Sequence, residues 1–165
     1  MSQLFFIENP LLDISIELKD NTVIDKYELQ HGMASLAGEK QLPIYDEIWG
    51  MEGREAFPGG SALNSARACN FVLKNQANEN KVTYFGCIGK DEKGAVLEKD
   101  LQDNGITGNF DKNEDTATGT CAVIVVEKER TLCANLAAAC KYSTAHLEAN
   151  WDTLKNAKII YTTSF

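Results

Sequence analysis

A chain of 165 residues, 44% apolar and 24% charged, has the size of one domain and enough apolar side chains for a substantial core. Its net charge of −8 argues against binding to a nucleic-acid backbone, which needs clustered Lys and Arg. No apolar run approaches a membrane span.

Residues 4–7 (Leu-Phe-Phe-Ile) form a short continuous apolar run stopping at Asn9-Pro10, which predicts a buried strand. From Asp13 the pattern alternates, with Ile14, Ile16 and Leu18 on one side and Asp13, Ser15 and Glu17 on the other, so a second strand belongs to a different, half-exposed sheet. Asp13 stands where one kind of strand gives way to the other. It reads either as a carboxylate accepting ligand hydroxyls or as a solvated turn residue. Residues 22–50 carry weaker signals: a short helix over 23–29, and another opened by Pro43 and running through Trp49.

A brief strand over 55–57 leads into Pro58-Gly59-Gly60-Ser61-Ala62-Leu63-Asn64-Ser65. The paired glycines stop the strand, Ser61 offers an N-cap hydroxyl, and Ala62, Ala66, Cys69 and Leu73 trace the buried stripe of a helix to about Asn75, followed by a polar linker over 75–81. Free N–H groups at that helix start, with Gly60, Ser61 and Asn64, suit a polar small molecule; an ordinary loop and amphipathic helix is the plainer alternative.

Residues 82–88 predict a buried strand. Asp91 then caps a helix carrying Val96, Leu97 and Leu101 inward, and Gly105 stops it. Gly86, Gly89 and Gly94 match neither a P-loop nor a dinucleotide fingerprint. Residues 118–126 and 131–138 predict an antiparallel hairpin with a charged tip, at whose base Arg130 reads as a phosphate clamp or as a solvated turn residue. Ser143 or Thr144 caps a helix holding Leu147, Trp151 and Leu154, and residues 157–161 predict a further buried strand.

The five cysteines (69, 87, 121, 133 and 140) are odd in number, lack a Cys-x-x-Cys pair, and read as buried free thiols of a reducing compartment. Without a basic lead-in to the first apolar run, the expectation is a cytoplasmic protein with neither nucleic-acid nor membrane partners. His31 and His146 are isolated, so no metal is expected on them.

This order of elements resembles the amino-terminal half of the ribokinase-like carbohydrate kinases, and most closely their adenosine-phosphorylating branch. The resemblance rests on Asn9-Pro10-Leu11-Leu12-Asp13-Ile14-Ser15, Gly59-Gly60-Ser61 with Asn64-Ser65, Phe85-Gly86-Cys87-Ile88-Gly89-Lys90-Asp91, Thr118-Gly119-Thr120-Cys121-Ala122, and Arg130 through Ala139, and covers essentially the whole chain. It implies an α/β fold, a three-layer α/β/α core with a small β-sheet lid, cut off after about half of the fold. Lid strands are expected near 13–18, 54–57, 107–112, 119–126 and 131–138.

It further implies that Asp13, Asn64 and the Gly59-Gly60-Ser61 turn hold a ribose, that Asn9, Leu11, Cys121, Leu132 and Ala134 enclose the base, and that Arg130 neutralises the transferred phosphoryl group. ATP and Mg²⁺ are implied for the complete enzyme, with adenosine as substrate. A glycine usually precedes the Asn-Pro-Leu-Leu-Asp run in this family, and Glu8 stands there instead. The family's Gly-Ala-Gly-Asp segment, which supplies the anion hole and the base, does not occur in these 165 residues, so the chain alone is expected to be inactive. The other readings are a non-catalytic binding or scaffold subunit whose sheet edge is covered by a carboxyl-terminal half or another chain, and a kinase for a different nucleoside or sugar.

Overall fold

The computed structural model describes residues 4–76 and 81–163; most of the expected linker over 75–81 lies outside them. In chain order the elements are β1 (Leu4–Ile7), β2 (Leu11–Glu17), α1 (Thr22–Lys26), β3 (Ala34–Leu36), α2 (Ile44–Trp49), β4 (Glu55–Gly59) and α3 (Ser61–Asn75). There follow β5 (Val82–Gly89), α4 (Glu92–Asn104), β6 (Thr107–Asn113), β7 (Thr120–Val126), β8 (Glu129–Asn135), α5 (Thr144–Ala149), α6 (Trp151–Leu154) and β9 (Ile159–Tyr161).

Two sheets form. One has the order β6-β5-β1-β9 and the other β3-β8-β7-β2-β4. The four-stranded sheet is parallel throughout. Its two faces are separated by the pleat of β1 and β5: Phe6 and Tyr84 turn into a core with Leu63 and Ala66 of α3 and Leu97 and Leu101 of α4. Phe5 and Phe85 turn the other way, onto Leu154 and Leu147. Helices on both faces give three layers, as parallel sheets require.

The five-stranded sheet is mixed. β2 pairs antiparallel with β4 and parallel with β7, and β7 and β8 form an antiparallel hairpin. The hairpin tip, Glu127 and Lys128, has positive φ at both positions (50° and 71°), the turn that matches strand twist. One face of this sheet, carrying Ile14, Ile16, Ala122 and Ile124, packs on Val23, Ile24, Ile44 and Ile48 of the two short helices. Its other face carries Asp13, Cys121 and Ala134.

The two sheets are clasped through Asp91. As N-cap of α4 its carboxylate accepts from Gly94 N at 2.8 Å, from Thr118 N at 2.7 Å and from Thr118 Oγ1 at 2.6 Å, just before β7. Burial opposes ionisation, but these hydrogen bonds outweigh it and hold the carboxyl below its usual range. Asp91→Ala removes the cap and leaves the backbone N–H of Thr118, which is 2% exposed, without its acceptor. We expect a loss of about 2 kcal/mol in urea unfolding, and a loss under about 0.5 kcal/mol would contradict the clasp.

Several expectations are corrected. Residues 107–112 are not a lid strand: β6 pairs parallel with β5 in the four-stranded sheet, because the β5–α4–β6 crossover returns the chain beside β5 and Phe110 packs on Tyr84. Its polar residues are those of an edge strand. β9 is exposed rather than buried, with Ile159 59% and Ile160 53% accessible at the other edge, and Trp151 is likewise outward. Ser61 is the first helical residue and Gly60 the N-cap, without a side-chain cap bond, because the turn is made by the φ of +99° at Gly60. Cys87, Cys121 and Cys133 are buried, but Cys69 is half-buried and Cys140 exposed. β3, unforeseen, adds a strand beside β8. No helix among the described residues is long and apolar enough to cross a membrane.

Candidate functional site

The chain leaves the core sheet at Ile7 and enters the five-stranded sheet at Leu11, so Glu8, Asn9 and Pro10 cross between them. This crossing is wedged against β5: Tyr84 Oη donates to Glu8 O at 3.0 Å, and a Cβ on Gly86 would lie 2.7 Å from that oxygen. The turn before α3 closes on the same point. A Cβ on Gly60 would meet Asn9 O at 2.6 Å, and a Cβ on Gly59 would overlap the Asp13 carboxylate. Glycines at 59 and 60 are thus what lets the start of α3 lie against the start of β2.

Across the sheet, register aligns one row: Phe57 opposite Asp13, Asp13 opposite Cys121, Cys121 opposite Ala134, and Ala134 opposite Leu36. In-register neighbours share a face, so this row lies on the side away from α1 and α2. A cavity of about 420 Å³ opens over the Ala134–Leu36 end of this row, lined by Asn9, Leu11, Gly60, Ser61 and Ala134, together with Glu8, Leu136 and all three residues of β3.

Asp13 is half-buried, and desolvation raises its carboxyl to about 6, against a smaller opposing pull from the Arg130 guanidinium. Burial, and then the Asp13 charge, push the Cys121 thiol up to about 12, so it stays a neutral, buried group between Asp13 and Ala134 in the row.

Of the expected residues, Asn9, Leu11, Gly60, Ser61 and Ala134 come together in the cavity wall. Asp13 and Gly59 touch each other, and Cys121 bridges Asp13 to Ala134 in the row. Leu132 is two residues further along the same face of β8, opposite Val123. Arg130 is two residues beyond that, exposed, opposite Val125, and reaches Asp13 by its field rather than through the cavity. Asn64 is exposed one turn into α3, and its backbone N donates to Gly60 O at 3.0 Å.

Sequence reading missed Ala34, Ser35, Leu36 and Leu136, and marked Glu8 only as a departure from the family's glycine. β3 is three exposed residues without a period, and only its pairing with β8 brings it to the site. Among the described residues no three His, Cys, Asp or Glu side chains converge as a metal site requires.

The family model of the pfkB family carbohydrate kinases matches residues 37–165. An adenosine kinase of Dictyostelium discoideum is 40% identical over 141 residues, which are 85% of this chain and 40% of that protein. Adenosine kinase 1 of Arabidopsis thaliana is 38% identical over 159 residues, 95% of this chain and 45% of that protein. The crystal structure of Anopheles gambiae adenosine kinase in complex with P1,P4-di(adenosine-5) tetraphosphate superimposes with a TM-score of 0.89 at 36% identity, over 97% of this chain and 49% of that chain. That of Schistosoma mansoni adenosine kinase in complex with adenosine, in occluded loop conformation, gives 0.86 at 31% identity, over 96% and 46%. The chain spans about half the length of the relatives it matches.

Proposed function

We propose, since this chain belongs to the pfkB family of carbohydrate kinases, that it carries the nucleoside-binding half of an ATP-dependent adenosine kinase, which transfers the γ-phosphoryl group of ATP to the 5′-hydroxyl of adenosine and yields AMP and ADP. The observation that carries this reading is the cross-strand row Asp13-Cys121-Ala134-Leu36, whose Ala134–Leu36 end lies under a cavity with Gly60 in its wall and whose Asp13 stands against Gly59. Carboxylates at one end of a row of otherwise apolar neighbours suit a ligand with a flat apolar part and a hydroxyl-bearing part.

In this reading Asp13 accepts ribose hydroxyls, with Gly60, Ser61 and Asn64 on the helix side. Asn9, Leu11, Cys121, Leu132 and Ala134 enclose the base, and Arg130 neutralises the phosphoryl group. Phosphoryl transfer is accelerated by positioning and charge stabilisation. Mg²⁺ accompanies ATP and neutralises phosphate charge when bound. Among the described residues no three His, Cys, Asp or Glu side chains would hold it.

Titration of adenosine into the protein is expected to give saturable heat. Saturable heat with a different nucleoside or a free sugar, and none with adenosine, overturns the substrate assignment. The 165-residue chain given ATP, Mg²⁺ and adenosine is expected to yield no AMP, because its sequence lacks Gly-Ala-Gly-Asp; AMP formation by it alone sinks the division of labour.

A further inference from the structure

We propose that Glu8 is a specificity-determining residue: its carboxylate, held by the Ser61 hydroxyl, selects an uncharged hydroxyl-bearing ligand over the phosphorylated form of that ligand. The inference rests on the reading of the cavity as a nucleoside site.

Among the described residues lining the cavity, Glu8 is the only one with an ionisable side chain. A second carboxylate, that of Asp13, stands over Gly59, and the guanidinium of Arg130 is on an exposed stretch of β8 outside the lining. Glu8 is fixed from several directions. Its backbone oxygen accepts from Tyr84 Oη, and its Oε2 accepts from Ser61 Oγ at 3.1 Å, while that hydroxyl lies 3.1 Å from Thr163 Oγ1.

Holding Ser61 in this way has two consequences. The hydroxyl proton is directed at Glu8, so Ser61 meets a ligand as an acceptor, and Glu8 Oε1 remains a further acceptor. The wall therefore calls for hydrogen-bond donors, which sugar hydroxyls supply and a phosphate dianion does not. Glu8 and Asn9 also line a second cavity of about 230 Å³ with Tyr142 and Thr163. An anionic group reaching from one cavity toward the other passes the Glu8 carboxylate and is repelled by it.

The test is calorimetric titration of adenosine and of AMP into the wild type, Glu8→Gln and Glu8→Asp at low and high ionic strength. Wild type is expected to favour adenosine, Glu8→Gln to narrow the adenosine-to-AMP affinity ratio about tenfold, and Glu8→Asp to retain most of the wild-type ratio. Added salt should narrow the ratio in the wild type and leave it nearly constant in Glu8→Gln. A wild-type ratio indifferent to salt, or a Glu8→Gln ratio equal to the wild type's at low salt, overturns the role of Glu8 while leaving the nucleoside site standing. Absence of adenosine binding by the wild type overturns the nucleoside reading and this inference with it. Where Glu8→Gln fails to fold, Glu8→Ala carries the same comparison, and an adenosine-to-AMP ratio in it equal to the wild type's overturns the role of Glu8.

Discussion

Asp13→Asn is expected to make the protein more stable at pH 8 and to weaken adenosine binding by about 10- to 100-fold. Both effects come from one cause. The folded carboxyl titrates at about 6, against 3.8 for an ordinary Asp, chiefly because burial penalises its charge. A raised carboxyl pKa means that the folded state holds the proton more tightly than the unfolded state. The contribution to stability is therefore fully present below about pH 4, declines as the pH rises through about 6, and stays lost above that. Allowing for the part of the group that water still screens, the ionised form costs ~1–2 kcal/mol at pH 8. An amide in its place avoids that cost.

The same buried charge is what a ribose hydroxyl would seek, since a hydrogen bond to an ionised acceptor is about twice as strong as a neutral one. Adenosine affinity in the wild type should fall as the pH drops below about 6, and the variant should lack this dependence. Urea unfolding at pH 4 and pH 8, with titrations at the same two values, decides it. A variant less stable than the wild type at pH 8, or one binding adenosine equally well, would remove Asp13 from the site.

Gly60→Ala is expected to lower stability by about 3 kcal/mol or more and to shift the thermal midpoint by roughly 6–12 °C. Gly60 has φ +99° and ψ 138°, where side chains are strained, and its added Cβ would stand 2.6 Å from Asn9 O. That neighbour is backbone and cannot rotate away. Gly53 is the internal comparison: φ is +82°, yet nothing lies within 4 Å of an added Cβ. Gly53→Ala should cost only the conformational strain, ~1 kcal/mol. Equal losses for the two would mean that the approach of the Gly-Gly turn to Asn9 is not what positions α3, and the account of the site's closed end would fall.

Much of this was written in local sequence, because some signals reside within a single segment. The switch from a continuous apolar run to alternation at Asp13 marked the passage between two sheets, and Pro58-Gly59-Gly60 marked the start of α3. Asp91 and Gly105 bracketed α4, whose capping bond and left-handed C-cap need only neighbours in the chain. The charged pair at 127 and 128 marked the hairpin. Each depends on backbone angles or side-chain periodicity over a few residues.

Tertiary structure alone decided which strands became neighbours and what each side chain met there. The resemblance implied a lid strand at 107–112, and only the crossover beside β5 placed β6 in the core sheet. β3 has no apolar period of its own and became a cavity wall because Leu132 to Ala134 offered it a partner. Ser61 looked like a cap, yet its hydroxyl is held by Glu8, 53 residues earlier. β9 looked buried and lies open, because burial depends on what packs against a strand rather than on its apolarity. Long-range pairing is a property of two segments together, and neither one carries it by itself.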